Sequence, residues 1–299
     1  MLSSSLELYD RGCRTAGIEM SSSTRSPVAP ADASPESESS TPLRAAPRYR
    51  RLRRWNAVMA VLHFVQGALM VVFAESIQWP ITRTRYEFDV ATEALAPTTV
   101  QWVEVPLPLL VAGFLFLSAI AHTIVATVRY GAYVRYLERG MNPYRWYEYA
   151  LSASLMIVVI AMLAGIWDLG TLVALFGLVA VMNLCGLVME RHNELTDRTD
   201  WTAYNVGVVA GAIPWVVIAI VLVGSVVAGD GEVPDFVIYI YISIFVFFNL
   251  FAINMILQYR ETWRWRQYLF GERVYILLSL VAKSALAWQV YFGTLTSPI

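Results

Sequence analysis

The sequence predicts an all-α membrane protein: a seven-transmembrane-helix bundle, N-terminus cytoplasmic, with a small extracellular β-hairpin in the first extracellular loop. Three observations predict it. The 299 residues are 57% hydrophobic and 15% charged, with a mean hydropathy of +0.53, more apolar matter than a soluble domain of this length needs. Seven apolar runs are each long enough to cross about 30 Å of hydrocarbon as a helix. Arginines gather at one set of run ends and are sparse at the other. The net charge of −1 carries no information about partners.

Residues 1–47 stand apart. The stretch 21–42 is rich in Ser, Pro, Ala and Glu and cannot bury a core, so it predicts a disordered cytoplasmic tail. It has no apolar stretch of the secretory kind, and Met20 offers an alternative start. Residues 48–299 form the membrane domain. Its apolar runs lie at 55–74, 105–128, 147–166, 169–189, 201–228, 236–257 and 274–295. Connections between the third and fourth runs, and between the fifth and sixth, are short, which favours antiparallel neighbours. The long connection is 75–104. It holds Tyr86, Phe88, Val90 and Trp102, with Pro80 and Pro97 as punctuation, and predicts the hairpin. Asn142-Pro143 reads as a helix start, with proline at the first helical position. Pro214-Trp215 is expected to interrupt the fifth run. Cys13 and Cys185 are too differently placed to pair, and Cys185 reads as inert packing.

Arginine placement sets the orientation. Arg48, Arg50, Arg51, Arg53 and Arg54 precede the first run. Arg129, Arg135, Arg139 and Arg145 flank the second connection, and Arg191 and Arg198 follow the fourth run. Arg260, Arg264, Arg266 and Arg273 bracket the sixth connection, while the opposite face has only Arg83 and Arg85. The positive-inside rule then places the protein in the cell membrane as a multi-pass chain, with its C-terminus extracellular.

Of twenty-two basic residues only Lys283 is a lysine, and it sits within the last apolar run. Arginine stays protonated; a lysine amine can lose its proton and attack a carbonyl carbon. An ionisable group at mid-bilayer depth is a functional hypothesis by default. From mid-helix a lysine reaches only part of the way to the interface, so snorkelling explains it poorly. Ser279 lies four residues earlier on the same face, and helical side chains lean toward the N-terminus, so the amine leans toward Ser279. Glu148, roughly one and a half turns into the third helix, is the best-placed anion. Pairing of Glu148 with Arg145 on the adjacent turn is the competing expectation. The other acids, such as Asp168, Glu190 and Glu272, fall at predicted ends or loops.

His63 and His122 fall inside the first and second spans, and Ser118 shares a face with His122. A single buried histidine is usually structural; two, beside a reactive lysine, point to a polar or proton-accepting cluster. No His, Cys or acidic pair falls at ligand spacing within a span, so no metal site is predicted. The sixth run is aromatic, with Phe245, Phe247, Phe248 and Phe251 beside Asn249, and Trp288 follows Lys283. Each aromatic alone is ordinary packing; together they can line a slot for a long flat apolar ligand. The chain has no Gly-rich phosphate loop and no serine-elbow motif, which points away from an enzyme. No basic patch interleaved with aromatics points to nucleic acid.

The seventh run reads Ser279-Leu-Val-Ala-Lys283-Ser-Ala-Leu-Ala-Trp288, followed by Gly293-Thr-Leu. With Phe248-Asn249-Leu-Phe-Ala and Arg145-Trp-Tyr-Glu148-Tyr-Ala-Leu-Ser-Ala-Ser-Leu-Met, it resembles the heliorhodopsins over about residues 50–299. The resemblance implies a retinal-binding light sensor, with all-trans retinal held as a protonated Schiff base on Lys283 and Glu148 as its single carboxylate counterion. It implies Ser279 and Ser118 as the hydrogen-bond network of that group. It places His63 and His122 in the polar cluster, and Asn183, Trp215, Phe248 and Asn249 in the retinal pocket; Arg145 is assigned to the same cluster, and Trp288, as part of the aromatic slot, to the same pocket. It further implies a homodimer in the lipid bilayer; the arginine-rich cytoplasmic loops offer a docking surface for a cytoplasmic signalling partner.

Proton-pumping rhodopsins place an aspartate where Ser279 stands and an Asp-Thr-Asp pattern where this chain resembles Glu148, Ser152 and Val159. Val159 cannot carry a proton, so a slow, largely non-transporting photocycle is expected. The alternative is a light-driven or light-gated proton or ion transporter. A chromophore-free transporter built on the Lys283–Glu148 pair expects internal repeats, which the seven runs lack.

Overall fold

The computed structural model describes residues 46–73, 77–228 and 233–296. The expected tail, Cys13 and Met20 lie outside the described residues. Among the described residues, seven helices are long and apolar enough to span a bilayer. They are α1 (Pro47–Phe73), α2 (Leu107–Ala126), α4 (Pro143–Leu163), α5 (Leu169–Asn193), α6 (Thr202–Ala228), α7 (Asp235–Tyr259) and α8 (Tyr268–Thr296). An additional short helix, α3 (Tyr130–Glu138), sits in the second connection. It buries Tyr130, Tyr133, Val134 and Leu137, an i, i+3, i+4, i+7 stripe.

Several helices begin earlier than their apolar runs. Helix α1 starts at Pro47, so its five arginines are helical, and α8 starts at Tyr268, which takes Glu272 and Arg273 into the helix. Hydropathy marks where lipid begins, whereas a helix continues until its backbone is capped. The start at Asn142-Pro143 is as read: the Asn142 side chain accepts from the Arg145 N–H at 3.3 Å. Helix α6 runs unbroken through Pro214, in contrast to the expected interruption. A membrane helix tolerates the lost hydrogen bond when its neighbours pack around it.

Strands β1 (Gln78–Asp89) and β2 (Ala94–Pro106) pair antiparallel, with a bulge between Ile81 and Thr82. Pro80 and Pro97 lie within the strands instead of punctuating them. In a two-stranded sheet both strands are edges, and an edge tolerates a missing donor. At the tip, the Asp89 carboxylate accepts from Ala91 N and Thr92 Oγ1, each at 2.9 Å. These bonds, led by that from Ala91, hold the Asp89 carboxyl below its usual range. Trp79 is buried, and the Thr82 N–H donates to the Trp167 carbonyl at 2.8 Å, tying the hairpin to the α4–α5 connection.

That connection carries its own cap. Asp168 Oδ2 accepts from Thr171 N at 2.8 Å and from Thr171 Oγ1 at 3.0 Å, opening α5. Asp168→Ala is expected to cost about 1 kcal/mol, the usual value of an N-cap. A denaturant titration of the purified chain measures it.

The helices pack in sequence: α1 on α2, α2 on α4, α4 on α5, α5 on α6 and α7 on α8, with α1 also on α8 and α4 on α7. Helices α6 and α7 meet through rings, Trp215 standing edge-on to Tyr241, Phe245 and Phe248. One large apolar cluster, including Phe114, Ile160 and Leu286, fills the bundle. Two smaller clusters, around Tyr133 and around Tyr275, fill the arginine-rich end.

Candidate functional site

Lys283 lies inside the bundle, its side chain 3% exposed. Its Nζ donates to Ser279 Oγ at 2.7 Å and to Glu148 Oε1 at 3.0 Å. The lean toward Ser279 follows from helix geometry, because four residues return a side chain to the same face. Ser118 on α2 donates to the same Glu148 oxygen at 2.6 Å. Ser152, one turn along α4 from Glu148, is fully buried. The Tyr149 ring lies 5.1 Å from the amine and offers it a negative π-face. A buried ion pair survives only when further hydrogen bonds satisfy both charges, and here hydroxyls supply them.

Glu148 does not pair with Arg145. Arg145 instead bridges Glu190 of α5 and Glu272 of α8. Both acids lie at helix ends, as read, but those ends are buried: the two are 3% and 1% exposed. Arg145 is therefore anchored in its own ion cluster, one turn toward the arginine-rich end, and stacks on Tyr275 at 3.9 Å. It also shares a small cavity wall with His122 and Glu148.

His63 and His122 come together, their rings stacked 5.7 Å apart and 8° from parallel. His122 Nδ1 lies 2.8 Å from Asn56 Oδ1. Among the described residues, neither nitrogen of His63 has a hydrogen-bond partner.

Beside Lys283 opens a cavity of about 280 Å³ between α4, α5, α6, α7 and α8. Asn183, Trp215, Phe248 and Asn249 all line it, as does Cys185. Trp288 does not. It lines a separate open groove with Phe236 and Tyr239, and its Nε1 donates to Gln66 at 3.1 Å. Five residues turn a helix through about 140°, so Trp288 and Lys283 leave different faces. Residues missed by the sequence reading include Tyr149, Met182, Tyr204 and Tyr275, each of which reaches the cavity from a packed helix.

Three glycines, Gly186, Gly207 and Gly211, line the same cavity, and a Cβ at any of them would press on a neighbour. At Gly186 that neighbour is the Trp146 indole, which cannot flex away as a methionine can. Gly186→Ala should therefore cost about 1–3 kcal/mol through overpacking. Thermal unfolding beside Gly211→Ala, where only the pliant Met182 side chain intrudes, separates the two cases.

The arrangement suits one long apolar guest with a carbonyl at one end. A lysine amine lines the cavity and can act as a nucleophile, the walls are largely aromatic and apolar, and the Glu148 carboxylate lies 3.0 Å from the nitrogen. The residues present fit a retinal group joined through Lys283. None of the curated proteins compared with the chain matches it. The family model described as heliorhodopsin matches residues 52–295.

Proposed function

Because the chain belongs to the heliorhodopsin family, a family of retinal-binding rhodopsins, we propose that it is a light sensor carrying all-trans retinal as a protonated Schiff base on Lys283. The observation that carries the reading is the sole lysine, buried at the cavity wall between Glu148 and Ser279. Bound retinal supplies visible absorption and a light-driven change of shape. The rest is the work of the chain. Glu148 is the counterion, and Ser118 and Ser279 fix the positions of the carboxylate and the nitrogen. Trp215 and Phe248 clamp the apolar guest from the α6–α7 side, and Asn183 and Asn249 edge it. His63 and His122 form a polar pair near the ion pair. A fully buried Val159 gives no proton step along α4, in keeping with signalling over transport.

The reading carries an orientation, with the N-terminus cytoplasmic and the hairpin extracellular, supported by the arginine-rich end. It carries a homodimer and a cytoplasmic partner docking on the arginine-bearing connections.

The test is the visible spectrum of the full chain expressed with all-trans retinal, beside Lys283→Ala. A visible band in the first and none in the second is expected. A folded, colourless wild-type chain would sink the reading. Voltage-clamped cells expressing the coloured protein should show no sustained photocurrent, and a sustained current would replace the sensor with a transporter.

A further inference from the structure

Beneath the Lys283–Glu148 pair lies a second set of buried charges that the sensor reading leaves unused. Glu272 and Lys283 are eleven residues apart on α8, nearly three whole turns, so both leave the same face. Opposite them on α4, Arg145 and Glu148 are three residues apart and also share a face. The two helices thus carry two ion pairs, whose backbone positions stand about 16 Å apart along α8 and only about 4–5 Å apart along α4 by helix rise.

The pairs differ in charge balance. Lys283 and Glu148 cancel, whereas Arg145 faces both Glu190 and Glu272. Glu272 also accepts from Asn142 Nδ2 at 2.6 Å and from Tyr133 at 3.1 Å. Glu190 accepts from the Asn142 N–H at 2.8 Å and from Tyr268 at 3.2 Å. Each partner donates to a carboxylate oxygen, and with both acids ionised the cluster carries one excess negative charge. In a low-dielectric interior that excess is an invitation to a proton.

A route joins them. A cavity of about 40 Å³ has Glu148, His122, Tyr133, Arg145 and Glu272 all in its wall. A water needs about 10–15 Å³ of such space and several polar partners, so the cavity has room for a short bridging chain. Asn56 orders its wall, lying 2.8 Å from His122 and donating to Tyr133 at 3.5 Å. Glu190 does not line this cavity.

We propose that Glu272 is the acceptor that holds the proton leaving Lys283 on illumination; this rests on the retinal reading above. The N–H bond at the Lys283 nitrogen breaks and an O–H bond forms at the Glu272 carboxyl. The Arg145 cluster goes from −1 to neutral, and Glu148 is left as the unpaired anion. Nothing is oxidised or reduced. The stranded Glu148 charge then draws the proton back, so the charge is stored within the protein and not exported.

Light-minus-dark infrared difference spectra of the retinal-loaded full chain test it. The wild type should gain the carbonyl stretch of a newly protonated carboxyl. Glu272→Gln should lose that band completely, and Glu272→Asp should keep it at a shifted frequency. If Glu272→Gln does not fold, the aspartate variant decides alone, since it keeps the charge opposite Arg145. A band that stays at the wild-type frequency in a coloured Glu272 variant overturns the assignment and leaves the sensor standing. A chain that takes up no retinal overturns both, and the absent colour shows which failed first.

Discussion

Arg145→Ala is expected to destabilise the folded bundle by about 3–5 kcal/mol, the range for breaking a buried ion pair from one side. The substitution strands Glu190 and Glu272, both buried, without their shared cation. It also removes the plane stacked on Tyr275 and the ring contact with Trp146 at 4.8 Å. Lysine is no remedy, because one compact ammonium cannot replace a planar guanidinium that turns a separate nitrogen to each of two carboxylates. The expected outcome is a much earlier unfolding transition in denaturant, with Arg145→Lys recovering only part of it. The same measurement on a triple Arg145→Met, Glu190→Gln, Glu272→Gln variant separates charge from packing. If removal of all three charges restores most of the stability, the loss in the single variant is uncompensated charge.

Glu148→Gln acts on colour. The carboxylate stands 3.0 Å from Lys283 Nζ, and a unit pair at 4 Å is worth about 4 kcal/mol at an effective dielectric constant of about 20. Glu148 therefore pins positive charge at the nitrogen in the ground state. Without it the charge spreads away from the nitrogen and the excitation energy falls, so the visible band of the retinal-loaded protein should move to the red. Ser118→Ala, which removes one donor to Glu148 and leaves its charge, should move the band far less. An unmoved band in Glu148→Gln would dismiss Glu148 as counterion while leaving the covalent site intact. The stability cost should be smaller than at Arg145, because a lysine amine can discharge by losing its proton and a guanidinium cannot.

The parts of the molecule legible in the sequence were those written locally. Seven apolar runs gave seven spans, Asn142-Pro143 gave the start of α4, and the four-residue spacing of Ser279 and Lys283 gave their contact. The pocket positions carried over from the family resemblance reached the cavity where helix angle allowed, and Trp288 missed it by angle alone. Helix α3 was overlooked although its apolar spacing was present, because a nine-residue amphipathic helix gives no hydropathy peak. The Glu190–Arg145–Glu272 cluster had no local signature. Its members come from three helices, separated by 45 and 127 residues, and each alone looks like a charge at a helix end. Only packing shows that these ends are dry.

The solitary lysine has a practical meaning in enzymology's older currency of peptide bonds. A protease that cleaves only after lysine has one place to cut in this chain, at Lys283. An amine carrying a reduced, irreversibly fixed adduct no longer fits such a protease. In unfolded protein, therefore, the choice between one cut and none reports whether that single nitrogen was occupied. The sequence has made its own site countable, molecule by molecule, without reference to colour.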